Sequence, residues 1–276
     1  MTSDDRKKME EFLNGLFLES FPVAGRPVVA SFFRKHIFEL QQILKVARTK
    51  STPRPKFLDI GCGVGVNACV LSQVFGFEVF VADRLDEFAP ELKREVGDAD
   101  GVIRRWEQFG VKGIRQNFIQ DGFPKEWQGT FDIVTTFDVI EHFTFSPLPF
   151  LRSSRELLNS GGTLMVGTPN QVHLYNRLKS LVGKNTWEDF QYFIDCDTFY
   201  GHVREFTPRE LREMILRTKL DNIDVAFSSY PIADRQAALA SKIGKLPATL
   251  ASSALNALFS LNPNWHYYMI GFGTRK

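Results

Sequence analysis

Three residues near the middle of the chain are spaced to do chemistry together. Asp138, Glu141 and His142 stand at i, i+3 and i+4, so on a helical turn all three side chains point one way. Two carboxylates and an imidazole on one face offer ligands to a hard or borderline divalent cation. The same imidazole without a metal can serve as a general base toward a hydroxyl, or it can simply be packed. At this level the three readings stay open. A second stretch, Phe57-Leu58-Asp59-Ile60-Gly61-Cys62-Gly63-Val64-Gly65, organises the rest of the chain. An apolar run enters it, glycines alternate through it, and an amphipathic segment from Val66 to Phe75 leaves it. That is the pattern of a buried strand, a tight turn and a helix whose N-terminus faces a ligand.

The nature of that ligand follows from what the turn lacks. A dinucleotide site needs glycine at the sixth position, where this chain has Val66. A phosphate loop needs Lys-Ser or Lys-Thr after its glycines, and none follows. Asp59, just before the turn, would repel a pyrophosphate and suits a ligand that carries an ammonium group. Asp83 ends the next strand, where a carboxylate can accept both hydroxyls of a ribose.

The elements that position these residues alternate. Strands are predicted over Lys56–Ile60, Glu78–Ala82, Gly113–Phe118, Phe131–Thr136 and Thr163–Gly167, with helices over Val66–Phe75, Phe88–Glu95, Ile103–Phe109 and Pro147–Leu158, the last stopping at Ser160-Gly161-Gly162. Short apolar strands separated by helical spans imply an α/β, Rossmann-like parallel sheet with helices on both faces. Ligands of such sheets sit beyond the carboxyl ends of the strands, and Asp59, Asp83, Asp121, Asp138 and Thr168 all fall there. Residues 1–50 are predicted helical, an N-terminal extension with Phe12, Leu16 and Phe17 on one face and a longer stripe from Phe32 to Ala47. Residues 51–276 form the main domain. Within it, 169–206 is an aromatic-rich insertion or lid after the fifth strand, holding His173 as a lid residue. Thr207-Pro208-Arg209-Glu210 opens a helix with a capping box. Strands over Asn222–Phe227 and Tyr267–Phe272 close the chain, and Leu246, Leu250, Ala254, Leu258 and Leu261 mark a core helix between them.

Taken together, Leu58-Asp59-Ile60-Gly61-Cys62-Gly63-Val64-Gly65, Asp83, the Asp121 turn, Phe131-Asp132-Ile133-Val134 running into Asp138-Val139-Ile140-Glu141-His142, and Leu158-Asn159-Ser160-Gly161-Gly162 resemble the class I S-adenosylmethionine-dependent methyltransferases. The resemblance spans roughly residues 56–170. It implies a seven-stranded, mostly parallel sheet whose last strand runs antiparallel. It also implies a cofactor site with methionine near Asp59 and Gly61, ribose on Asp83, and adenine near Arg84, Gln120 and Asp121; Cys62, Gly63 and Phe137 complete the set. The segment Tyr200-Gly201-His202-Val203-Arg204-Glu205-Phe206-Thr207 brings a distant histidine before the capped helix. In this it resembles the metal-dependent O-methyltransferases of small-RNA 2′-hydroxyls, and the quinone O-methyltransferases share the acid–acid–His part. That resemblance implies Mg²⁺ or another divalent cation on Asp138, Glu141, His142 and His202, with Asp138 standing where those families carry Glu.

Composition narrows the acceptor. The chain has 276 residues, 43% hydrophobic and 24% charged, with formal net charge +2. That balance argues against nucleic acid as the partner. Arg6-Lys7-Lys8 and Arg34-Lys35-His36 read as solvated faces. Cys62, Cys69 and Cys196 are too few and scattered for a disulfide framework or zinc knuckle. The first residues lack a signal peptide's apolar core, and no apolar run reaches the roughly 18 residues of a spanning helix, which together read as a cytoplasmic protein. Segment 200–210 is also similar to methyltransferases of surface-polysaccharide and glycolipid pathways, and lid aromatics can stack on sugar rings. The expected activity is O-methylation of a saccharide or glycolipid hydroxyl. A quinone, a phenol or an RNA 2′-hydroxyl is the alternative acceptor, and a non-catalytic cofactor-binding scaffold is the alternative class.

Overall fold

The apolar runs become strands of one sheet. The computed structural model describes residues 2–85, 98–229, 249, 253–254, 257–259 and 261–276. Its strands are β1 (Lys56–Ile60), β2 (Glu78–Asp83), β3 (Lys112–Arg115), β4 (Phe131–Phe137), β5 (Leu158–Pro169), β6 (Asp221–Ser228) and β7 (Tyr268–Thr274), in the order β3-β2-β1-β4-β5-β7-β6. All pairings from β3 to β5 are parallel, whereas β7 runs antiparallel between β5 and β6. The seven-stranded, mostly parallel sheet implied by the sequence is the one observed. Its order reverses between β1 and β4, the switch point at which such sheets bind ligands.

Helices cover both faces. One face carries α1 (Ser3–Phe12), α2 (Arg26–Ser31), α3 (Phe33–Ala47), α4 (Val66–Gln73) and α5 (Ala99–Gln108), with Met9, Leu13, Phe17, Leu40, Ile43, Leu71 and Trp106 buried among them. On the other, α6 (Leu148–Glu156) and, beyond the short α7 (Leu174–Leu181) and α8 (Phe190–Asp195), α9 (Pro208–Arg217) bury Leu151, Leu211 and Ile215. The α4 segment is not amphipathic as expected: Val66 through Leu71 are all buried, because α3 packs over the face that would otherwise meet water. No helix among the described residues is long and apolar enough to cross a membrane.

Several local expectations are corrected. A kink at Gly15, whose φ of −101° and ψ of −110° leave the helical region, breaks the helical repeat, so that Leu13 and Phe17 are buried and Leu16 is 66% exposed. β3 stops at Arg115 because the Asn117 side chain accepts the amides of Ile119 and Gln120 and closes a turn. The helix before β5 ends at Glu156. Ser160-Gly161-Gly162 is not its stop but a bulge inside β5: Leu158 pairs with Phe131, and pairing then resumes between Thr163 and Ile133. Lys50 Nζ donates across the bulge to the Gly161 carbonyl and the Thr163 hydroxyl at 2.6 and 2.8 Å. The capping box of α9 forms as read, with Thr207 and Glu210 exchanging hydrogen bonds. The helix expected over Phe88–Glu95 lies outside the described residues, as do Leu246 and Leu250. Of the remaining stripe, Ala254 and Leu261 are exposed and Leu258 half-buried, so the described part is not in the core.

Candidate active site

The glycine turn joins β1 to α4 at the switch point. Gly61 and Gly65 both have positive φ, +74° and +80°, a region in which L side chains are strained. A Cβ on Gly61 would lie 2.3 Å from Val139, and one on Gly65 2.6 Å from the Trp106 indole nitrogen. Close protein packing therefore demands these glycines, beyond any approach of a ligand. Gly63 N donates to Asp83 Oδ2 and Leu85 N to Asp83 Oδ1, both at 2.8 Å. The carboxylate is thus fixed at the strand end and, with about four lone-pair sites in all, keeps capacity for a diol. Asp59 is 4% exposed and accepts from the Thr135 hydroxyl at 2.7 Å. Burial, reinforced by Glu39 and Asp83 against the Thr135 hydrogen bond, pushes its carboxyl up to about 7.

The remaining cofactor residues divide by exposure. Cys62 is half-buried beside the Gly63 carbonyl, and Arg84 is half-buried beyond β2. Gln120 and Asp121 are exposed on the turn after β3, their amides held by the Asn117 carbonyl. Phe137 is buried at the end of β4, packed against Gly167.

Asp138 does not share a helical turn with Glu141 and His142. Its φ is +54°, its amide donates to the Gly167 carbonyl at 3.0 Å, and its carboxylate forms an ion pair with Lys35 of α3. The helical turn is only a 3₁₀ turn over Ile140–His142. The left-handed backbone, which Asp tolerates better than most residues, aims Asp138 toward α3 and away from the other two.

Glu141, His142 and His202 do come together. A ligand atom from each lies within 4.8 Å of the others, and the two imidazole rings are 5.1 Å apart, edge to face. Backbone pairing brings His202 here: Val203 N and Arg204 N donate to the Glu141 carbonyl at 2.8 and 3.0 Å. Glu141 is fully buried. Its Oε2 accepts from the Thr168 hydroxyl at 3.0 Å, while Oε1 has no hydrogen-bond partner among the described residues. Burial, opposed by His202, pushes its carboxyl up to about 7. His142 Nδ1 faces the Gly201 carbonyl at 3.2 Å, and His202 Nδ1 faces Glu205 at 2.9 Å. An oxygen acceptor on Nδ1 favours the tautomer that leaves Nε2 as the lone pair, the usual support of a metal-ligating histidine. Burial, aided by His202, lowers the His142 pKa. Burial would lower His202 too, but Glu205, with Glu141 and Glu188, overrides it and raises the pKa. One orphaned carboxylate oxygen and two oriented imidazoles fit a borderline divalent cation.

The residues that sequence reasoning missed lie on α3. Lys35 and His36, read as part of a solvated face, are 12% and 19% exposed in their side chains and both engage Glu39. Their signal was a glutamate at position 39 within the apolar stripe of Phe33, Leu40, Ile43 and Leu44, three and four residues beyond the two basic ones. His173, expected in the lid, is buried as the N-cap of α7, against Tyr267. The insertion's Leu181, Val182, Trp187, Phe190, Phe193 and Ile194 are each more than half exposed.

Comparison with known proteins agrees with this fold. The family described as "Methyltransferase domain" matches residues 33–225, a span that begins at the first residue of α3. A ubiquinone biosynthesis O-methyltransferase of Cereibacter sphaeroides is 28% identical over 181 residues, covering 64% of this chain and 66% of the relative. The chain thus matches just under two thirds of that relative's length. Among solved structures, a cyclopropane-fatty-acyl-phospholipid synthase-like protein from Lactobacillus casei superposes with TM-score 0.54 at 15% identity, over 96% of this chain and 99% of the other. Phosphoethanolamine N-methyltransferase 2 of Haemonchus contortus, in complex with S-adenosyl-L-methionine, gives 0.53 at 15% identity, over 85% and 52%. At such identities these two structures bear on the fold alone.

Proposed function

The chain belongs to the class I S-adenosylmethionine-dependent methyltransferases, and on that premise we propose that it methylates a hydroxyl oxygen of a phenolic or quinol-type acceptor. The observation that carries this reading is the Glu141, His142 and His202 cluster beyond β4. A scaffold that only bound the cofactor would have no need of a buried, half-satisfied carboxylate beside two oriented imidazoles. The relative named for ubiquinone biosynthesis favours a phenolic acceptor over the saccharide hydroxyl expected from the sequence.

The chain's own residues divide the task. Asp59 and the glycine turn suit the charged amino-acid end of the cofactor, and Asp83 suits its ribose. When bound, S-adenosylmethionine supplies an electrophilic methyl for in-line displacement, so the protein's part is to align the acceptor oxygen and remove its proton. With no metal on it, His142, whose pKa is lowered, is neutral at physiological pH and can take that proton at Nε2. Glu141, His142 and His202 would hold a divalent cation, which would lower the acceptor's pKa. Asp138 stands apart from that set, paired with Lys35.

The test is a methyl-release assay over catechols and quinols, saccharides and an RNA 3′ end, with and without Mg²⁺ or Mn²⁺. The expected result is a methyl ether on a phenolic hydroxyl, lost on chelation and restored by the metal. Transfer only to nitrogen would overturn the acceptor class. Undiminished activity after exhaustive chelation would leave His142 acting as base and remove the metal.

A further inference from the structure

Beside the cofactor turn, three segments distant in sequence converge on one carboxylate. Glu39 of α3 is fully buried. His36 Nδ1 faces its Oε2 at 2.8 Å, Asn67 Nδ2 donates to Oε2 at 2.7 Å, and the Tyr268 hydroxyl donates to Oε1 at 3.0 Å. Lys35 Nζ lies 3.8 Å from Oε1 and reaches on to Asp138, with its ammonium 5.5 Å from the Tyr268 ring centroid. Asn67 belongs to the first turn of α4, directly after the glycines, and Tyr268 opens β7. A buried carboxylate held this way is not required for packing, since an apolar side chain of similar size would pack α3 as well or better.

We infer that Glu39 is a positioning residue of the cofactor site: its carboxylate holds Lys35 of α3 against Asp138 and keeps the pocket beside β1 negatively charged toward a cationic cofactor. The inference rests on the cofactor assignment above. Burial would raise the Glu39 pKa, but Lys35, His36 and the Asn67 amide override it and hold the acid down to about 2, so the charge persists at every physiological pH. Asp59 feels that charge. It is faced by Glu39 and Lys35 from α3, by Asp83 from β2 and by the Thr135 hydroxyl from β4. Burial, with Glu39 and Asp83 adding to it, keeps Asp59 partly protonated near neutrality, and a cationic ligand arriving at Asp59 drives that proton off. On this account the N-terminal helices are a wall of the site and not an appendage.

The experiment titrates the full-length protein with S-adenosylmethionine by calorimetry, from mildly acidic to mildly alkaline pH, in buffers of differing ionisation enthalpy. Glu39→Gln preserves volume and one acceptor oxygen but removes the charge. It is expected to weaken binding by roughly tenfold or more, as loss of one member of a buried charge pair does, and to move the proton-release midpoint to lower pH. Asn67→Ala loosens the packing but keeps the charge, so its midpoint should stay where the wild type has it. Wild-type affinity and midpoint in Glu39→Gln would overturn the inference. Equal losses in both variants with an unmoved midpoint would overturn it too, since plain packing would then suffice. If Glu39→Gln does not fold, Lys35→Met carries the test: it removes the cation that opposes Glu39 at Asp59, so the proton-release midpoint is expected to move to higher pH, and a wild-type midpoint would refute the role. A wild type that binds no cofactor at millimolar concentration would remove the cofactor reading itself, and this inference with it.

Discussion

Replacing Asp59 with asparagine should stabilise the cofactor-free protein while impairing cofactor binding. Asp59 is 4% exposed, and its carboxyl is raised from 3.8 to about 7. The folded state therefore prefers the protonated form. That preference contributes stability which is fully present below the unfolded value and is lost as pH rises through the folded one. At about 1.36 kcal/mol per pH unit, the loss from acid to alkaline conditions is on the order of 4 kcal/mol, confined to the window between 3.8 and about 7. Asparagine is neutral throughout, nearly isosteric, and keeps an oxygen for the Thr135 hydroxyl. Its advantage over the wild type should thus be small at about pH 4 and grow to a few kcal/mol at about pH 8. Urea unfolding across that range, without cofactor, reads the difference directly. Parallel pH profiles for the two proteins would refute the reasoning, because Asp59 could not then be the buried acid whose ionisation opposes folding. In the same variant, calorimetry should show weakened S-adenosylmethionine binding, since the amide offers no charge to an ammonium group.

Other perturbations test the frame around the site. Gly61→Ala should cost about 2 kcal/mol or more, from its left-handed φ and from the 2.3 Å approach to Val139; adding Val139→Ala should recover only the clash, as read by thermal melts of the double variant. Thr207→Ala removes the capping box of α9 and should cost about 1 kcal/mol while leaving cofactor affinity unchanged in a binding titration. Leu181→Ser and Phe190→Ser alter side chains 81% and 66% exposed, so each should change unfolding free energy by no more than about 0.5 kcal/mol. A larger loss in denaturant melts would mean that these side chains are covered in solution.

What was legible in the sequence was whatever depends on local order. The strand, glycine turn and helix around Gly61, the acid Asp83 at the next strand end and the capping box at Thr207 are each written within a few residues, because turn chemistry and capping act over that range. Asp138 shows where such reading stops. The i, i+3, i+4 spacing to Glu141 and His142 assumes a helical turn from the first residue, and nothing in the local sequence announces a φ of +54° at that residue. The conformation is set from outside, by the Gly167 carbonyl on its amide and Lys35 on its carboxylate. His202 is the converse case: it enters the cluster through backbone bonds from Val203 and Arg204 to Glu141, and only resemblance placed it there. Glu39 was illegible for a third reason. A glutamate amid an apolar stripe reads locally as the edge of a solvated face, and its partners Asn67 and Tyr268 are 28 and 229 residues away. A charge in the middle of a buried stripe has to be matched in the fold, and two basic residues one helical turn earlier supply only part of that match. The rest had to come from another element, and a helix beginning at the glycine turn was the nearest one with a polar side chain, Asn67, in its first turn.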